Sequence, residues 1–504
     1  MKKTGRTLSA FLALALALLA PASLPAQTAT PIPARPSELK FKPLMYTPPK
    51  REQYRHVLPN GVVVYAVEDH DLPLVNVSLL VRAGAYLEPA GKEGLAALTG
   101  SQMRGGGTTS KTAEQFDEAA DFLAANLTSF VGGTQGGANL NVLAKDIDAG
   151  LALYFDMLKN PAFQEDRLKL AKSQILQQME RRNDRTDAIE EREWSRLLQG
   201  PDHFSTRQTT KASVESITRA DLAAFHKKHF HPGNFIFAVS GDFATKQMLA
   251  RLDAALKGWP ASKEAAPEVP KPTHTPRPGV YAVHKPDVNQ GRVSIGHAGS
   301  MRDNPDAFAL DIMSDILGGG GFTSRITSRV RSDEGLAYDA GSFYGLGVYY
   351  PGDFRATFQS KSQTVAQAAD IVIEEINRIR TTKVTPEELE TAKNYAVEIF
   401  PRFFATAGQV AGTFAADELT KRPADYWDKY RDRVRAVTAE DVQRVAQQYL
   451  RPDRLVILVV GNLDEIARGN PARPQHSITK LGNGQIKRIP LPDPLTMVYP
   501  ADGQ

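Results

Sequence analysis

The 504-residue chain contains no cysteine. That excludes a disulfide framework, a thiolate zinc site, a cysteine nucleophile and a lipid-modified N-terminal cysteine. Past the first thirty residues, no apolar run approaches the roughly 18 residues of a membrane-spanning helix. Neither sign of charge dominates: 61 Lys and Arg stand against 57 Asp and Glu, a formal +4. Electrostatics therefore gives no argument for a nucleic-acid partner. The sequence also lacks a G-x-S-x-G nucleophile elbow, a Gly-Lys-Ser/Thr phosphate loop, and both H-x-x-E-H and H-E-x-x-H. What is present looks globular, with 42% hydrophobic and 23% charged residues. At about 150 residues per domain, the length fits two to four domains.

The N-terminus predicts export. Lys2, Lys3 and Arg6 precede the apolar run Phe11–Ala20, and small-residue cleavage sites follow at Ala20-Pro21-Ala22 or Leu24-Pro25-Ala26. This is the layout of a secretory signal peptide over residues 1–26, and it implies a periplasmic protein. Without those three cations, +4 falls to +1. A Pro-rich lead-in, residues 27–50, would follow. The remainder is written twice. Thr218, Asp221, Pro232 and Gly241 recur as Thr438, Asp441, Pro452 and Gly461, an offset of 220. Leu168, Ala171 and Lys172 recur as Leu389, Ala392 and Lys393, and Val77-Ser78 as Val293-Ser294. A period this long means a duplicated domain, because solenoid repeats run about 20–50 residues. Strands and helices interspersed without strict βαβ alternation predict an α+β fold, each half a mainly antiparallel sheet with helices on one face. The expected boundaries are 51–259 and 279–467, joined by the Pro-rich linker 260–278 and followed by a tail, 468–504.

Two segments then become specific: Ile316-Leu-Gly-Gly-Gly-Gly-Phe-Thr-Ser-Arg325 and Val330-Arg-Ser-Asp-Glu-Gly-Leu-Ala-Tyr338. Together they resemble the C-terminal domain of the pitrilysin/insulinase family of zinc metallopeptidases, in particular its two-domain bacterial and mitochondrial-processing branch. The resemblance spans about residues 50 to 465, and it implies paired α+β domains that clamp on a second pair around a chamber. Family peptidases carry H-x-x-E-H in the N-terminal domain: two histidines and a distant Glu bind zinc, and the Glu within the motif is the general base. Aligned on Gly94-Leu95-Ala96, the histidine positions here are Ala97 and Ser101, the general-base position is Gly100, and the distant ligand falls at Gln177. A methyl group and a glycine cannot ligate zinc, and a neutral hydroxyl and an amide are poor replacements. This chain is expected to hold no zinc. In two-chain members of the family, the partner of the zinc subunit contributes an Arg and a Tyr, and Arg331 and Tyr338 match that pair. The resemblance thus implies a zinc-less subunit of a heterodimeric metallopeptidase, inactive alone. Its homologous partner would carry the zinc, and its substrates would be peptides. Arg331 and Tyr338 would stabilise the oxyanion that develops on the scissile carbonyl.

Other features leave alternatives open. Gly318, Gly319, Gly320, Gly321 and Phe322 read equally as a substrate-contacting or gating loop and as a plain turn ending a helix. His226, His229 and His231 could bind a metal, but the first two read better as cations at a helix C-terminus. The stretch 180–196 mixes both charge signs at helical spacing, as on a solvated face or a subunit interface. The tail could be a free end or could wrap a partner. A catalytically inactive peptide-binding or scaffold homologue is the competing reading of the whole chain, and an enzyme redirected to another metal is a third.

Overall fold

The computed structural model describes Leu39 and residues 45–262, 266–481 and 485–501. The predicted signal peptide and nearly all of the lead-in lie outside the described residues. The strands of the first sheet are β1 (Arg55–Val57), β2 (Val63–Glu68), β3 (Leu74–Val81), β4 (Asn126–Val131), β5 (Gly136–Leu143) and β6 (Phe235–Gly241). Its order is β1-β2-β6-β3-β5-β4, antiparallel except for the parallel pair β2/β6. The second group comprises β7 (Gly279–His284), β8 (Gln290–Ala298), β9 (Ser300–Met301), β10 (Ala337–Tyr344), β11 (Leu346–Gly347), β12 (Asp353–Lys361), β13 (Val456–Gly461) and β14 (Ile486–Arg488). Here the order is β10-β12-β8-β13-β7-β14, with β9 and β11 forming a separate parallel pair. Read along the duplication, β2-β6-β3-β5-β4 and β7-β13-β8-β12-β10 are the same sheet built twice. The fold is α+β, as the sequence predicts.

Local chemistry accounts for the repeat. Helices α1 (Leu95–Gly105), α2 (Glu165–Glu180), α3 (Thr186–Gln199) and α4 (Arg219–His229) belong to the first half. Helices α5 (Ala307–Ser314), α6 (Val365–Thr381), α7 (Ala407–Thr420) and α8 (Ala439–Tyr449) belong to the second. Thr218 and Asp221 form a reciprocal capping box at the start of α4, and Thr438 and Asp441 do the same for α8. Each box satisfies two backbone donors that a helix start leaves orphaned. Pro232 and Pro452 each open a 3₁₀ turn feeding the central strands β6 and β13. Along β3, Val75, Val77, Leu79 and Val81 alternate into the first core, while Val293 and Ile295 of β8 enter the second.

The far face of each sheet is covered by a helix from the other half. Helix α3 crosses β13 and β8, and α7 crosses β6, β2 and β3. Ile189, Trp194 and Leu198 of α3 bury against Tyr281, Val283, Val456, Leu458 and Val460, at about 1.5–3 kcal/mol per large apolar side chain. This corrects the reading of 180–196 as a solvated face or subunit interface. Within α3, Glu190 and Glu193 are each only 1% exposed. Glu190 accepts hydrogen bonds from Arg292 and Ser294, and Arg355 Nη2 lies 3.3 Å away. Glu193 pairs with Arg192 at 2.8 Å. Trp194 Nε1 donates to Asp353 at 2.6 Å. The reciprocal contact sets Glu418 of α7 against Arg55 at 3.0 Å and the Tyr65 hydroxyl at 2.8 Å.

The tail is neither free nor extended away from the chain. Its strand β14 pairs in parallel with β7, at the position β1 holds beside β2. It then returns to the first half. Asn183 donates to the Pro492 carbonyl at 2.8 Å, the Lys211 amide to the Leu495 carbonyl at 2.7 Å, and the Tyr499 hydroxyl to Glu193 at 2.8 Å. Residues 266–278 adopt no helix or strand. They are tied down by Tyr86 on the Pro267 carbonyl and by His203 on that of Pro270. Removing one partner of a buried charge network leaves the other charges uncompensated. Glu190→Ala is expected to cost about 3–5 kcal/mol of unfolding free energy in urea, more than Glu418→Ala, whose carboxylate is partly solvated. A cost under about 1 kcal/mol, that of a surface pair, would remove the network from its structural role.

Candidate functional site

Helix α1 carries the positions at which the resemblance places the metal ligands. Ala97 and Ser101 are exposed, whereas Gly100 between them is buried. The helix lies so close to β4 that a Cβ on Gly100 would stand 2.2 Å from the Val131 amide nitrogen and 2.5 Å from the Phe130 carbonyl carbon. Ser129 fastens this approach by donating to the Gly100 carbonyl at 2.6 Å. The Ser101 hydroxyl is turned back onto the Leu98 carbonyl at 3.1 Å. Gln177 is exposed on α2, which packs beside α1. No group of three or more His, Asp or Glu able to hold a metal occurs among the described residues. These residues do not fit zinc. Their donors have the wrong chemistry, and at the general-base position backbone occupies the space a carboxylate side chain would need.

His226 and His229 do not act as cations at a helix end, whereas His231 opens the turn at Pro232. His226 is buried between Phe163 and Phe230 and donates Nε2–H to the Leu158 carbonyl at 2.9 Å. Burial pushes the pKa of both His226 and His229 down to about 4. They are neutral core residues, and desolvation outweighs the dipole because the C-terminal turn of α4 faces inward.

In the second half, α5 runs into a π-helical turn, Asp315–Gly319, then a 3₁₀ turn, Gly321–Thr323. A second π-helical segment, Ser328–Asp333, leads into β10. π-Turns are rare and recur at functional sites. Arg325, clamped on Glu388 at 2.6 and 2.9 Å, and Thr327, donating to the Ala340 carbonyl at 2.7 Å, anchor the segment between them. The glycines divide by role. Gly318 is buried, and a Cβ there would meet the Ser342 nitrogen at 2.2 Å, so it serves packing against β10 and is closed to a ligand. Gly321, at φ +58°, turns the chain in open space and presents Phe322 to solvent.

Arg331 and Tyr338 come together. The Arg331 guanidinium carbon lies 4.5 Å from the centre of the Tyr338 ring and 4.5 Å from that of Phe322. Neither ring is core: Tyr338 is 84% exposed and Phe322 65%. An irregularity in β10 produces this exposure. Ala337 pairs with Ser360 but Ala340 with Phe358, which leaves one extra residue on β10. Such a bulge re-aims a side chain, here Tyr338, at the outer edge strand of the sheet. Tyr338 is therefore no part of the sheet's core. Sequence reasoning named Phe322 with the glycine loop but did not foresee that it covers Arg331.

Two family models match the chain, "Insulinase (Peptidase family M16)" over residues 63–200 and "Peptidase M16 inactive domain" over residues 216–395. The chain belongs to the insulinase family, M16. It is a zinc-less member, for the reasons at Ala97, Gly100, Ser101 and Gln177. A protein of Rickettsia bellii described as "Uncharacterized zinc protease" is 23% identical over 367 residues, covering 68% of this chain and 86% of that protein. The Helicobacter pylori "Non-peptidase homolog YmxG" is 26% identical over 337 residues, covering 66% and 76% respectively. The crystal structure of a peptidase M16 inactive domain from Pseudomonas fluorescens superposes with a TM-score of 0.72 at 24% identity, covering 81% of this chain and 97% of that one. This last likeness concerns the fold.

Two expectations follow for this M16 chain. Gly100→Ala is expected to lower the unfolding free energy by about 1–3 kcal/mol through overpacking. The grafted set A97H, G100E, S101H and Q177E is then expected to lose stability without gaining stoichiometric zinc, as urea unfolding and metal analysis would register. For the histidines the sign runs toward acid. Their folded pKa is depressed, so the stability from keeping them neutral is present above about 6.5 and is lost as pH falls through about 4. Ring titration by NMR should find both neutral at pH 5.5.

Proposed function

We propose that this chain is the zinc-less subunit of a periplasmic, heterodimeric metallopeptidase, completing the active site of a homologous H-x-x-E-H partner. The observation that carries the reading is the Phe322–Arg331–Tyr338 cluster on a chain whose own metal positions are Ala97, Gly100, Ser101 and Gln177. The guanidinium has no hydrogen-bond or ion-pair partner among the described residues, and its neighbours are two exposed rings, Phe322 and Tyr338. The guanidinium and the Tyr338 phenol are donors fitted to a peptide carbonyl and to the negative charge that grows on it during hydrolysis. In this reading the partner holds the zinc and the general base. This chain positions the substrate backbone and stabilises the developing oxyanion with Arg331 and Tyr338, while Gly321 and Phe322 border the bound peptide. Periplasmic location rests on the charge and hydropathy pattern of residues 1–26. The described residues contain no helix long and apolar enough to cross a membrane.

A second reading, an inactive peptide-binding or scaffold homologue, draws on the Helicobacter pylori relative described as a non-peptidase. The two separate in one experiment: co-purification of the native chain, followed by Arg331→Ala in the recovered complex. Loss of about 10²–10³ in turnover with assembly intact is the expected outcome. Recovery of this chain alone, or unchanged turnover, gives first place to the scaffold.

A further inference from the structure

The surroundings of Arg331 are unusual in what they omit. Asp333, Glu334 and Asp339 are all exposed within eight residues of it, yet none forms an ion pair with it. Glu334 is instead engaged by Gln367 at 3.1 Å. The guanidinium carbon lies 4.5 Å from the ring centres of both Phe322 and Tyr338, and the N–H donors at its rim have no hydrogen-bond partner among the described residues. Such a rim is a planar fork, and the anion that matches a fork is a carboxylate, bound through two parallel N–H···O bonds. A neutral backbone carbonyl uses only part of it. The Tyr338 hydroxyl makes no hydrogen bond among the described residues and adds a further donor. On the same loop, a Cβ on Gly321 would meet no atom within 4 Å, so the chain next to Phe322 borders open space.

From this arrangement we infer that the Phe322–Arg331–Tyr338 cluster binds the free C-terminal carboxylate of a peptide, and does so in the isolated subunit, without partner or metal. The inference deepens the proposed function, on which it rests: the subunit would retain the newly formed C-terminus of a cleaved chain, a product-binding step additional to stabilising the carbonyl. Phe322 is then a positioning residue. Its ring centre lies 4.5 Å from the guanidinium carbon, a contact that restricts where Arg331 can place its donors.

The test uses the purified full chain and three N-acetylated peptides followed by calorimetry: tetraalanine as the free acid, tetraalanine amide, and trialanyl-glutamate amide, whose only carboxylate is on a side chain. The free acid is expected to bind about tenfold or more tightly than its amide, as for a charge-assisted bond, and to weaken as salt rises. Arg331→Ala should abolish the difference. Arg331→Lys, which keeps the charge but not the fork, should retain only part of it. Phe322→Leu should lessen it, and Phe322→Tyr should preserve it. Equal, Arg331-dependent binding of acid and amide would overturn the carboxylate inference while leaving the proposed function standing. Equal binding of the side-chain carboxylate would overturn the assignment to a peptide terminus. Binding insensitive to Arg331→Ala, or no binding of any peptide, would overturn the inference, while the turnover of the Arg331→Ala complex would still decide the proposed function.

Discussion

Glu190 is the point on which the architecture turns. A carboxylate removed from water is tolerable only when its charge and lone pairs are met, and here Arg292, Ser294 and Arg355 meet them from strands β8 and β12. That requirement draws α3 out of its own half and lays it across the opposite sheet, with Trp194 seated on Asp353. Glu418 does the same for α7 in reverse, against Arg55 and Tyr65. Neither sheet is fully covered by its own half, so the two halves complete one another. The edge strand β10, which carries Tyr338, is held in a sheet whose outer face depends on α3.

Within that frame the two potential halves of an active site have diverged in opposite directions. On α1 the functional surface has become packing surface. Helix and strand approach so closely that only glycine fits at position 100, so placing metal ligands on α1 would not create a site. Near β10 the reverse holds. Phe322, Arg331 and Tyr338 contribute little to any core, and a bulge and an open edge place them in solvent. Phe322 and Tyr338 are exposed and contact Arg331, which has no ion-pair or hydrogen-bond partner among the described residues. Their presence is better explained by a ligand than by stability.

The duplication and the α+β class were legible in the residues because each depends on short-range chemistry, and the missing metal ligands were legible through the resemblance, which says which positions to inspect. A Thr and an Asp three residues apart cap a helix wherever they occur. A glycine, an alanine, a serine and an amide fail as a zinc site in any conformation. The two histidines of α4 read differently in the sequence because their ionisation is set by burial, which tertiary packing supplies, in part for His226 through Phe163 of another segment. The tail was equally opaque. A Pro-rich stretch without periodicity carries no local sign that β7 has an open edge waiting for a strand.

By itself, then, the sequence determined what this chain is built from: two copies of one sheet, residues that are poor zinc ligands at the family's metal positions, and an Arg and a Tyr seven residues apart. Only the tertiary structure decided that a helix of mixed charge is interior, that Gly100 is locked against β4, and that Phe322 covers Arg331. The reason is the same in each case. Burial, close approach and the pairing of a guanidinium with a ring are set by neighbours far away in the chain or across a turn, and no pattern of residue spacing records which neighbour will arrive.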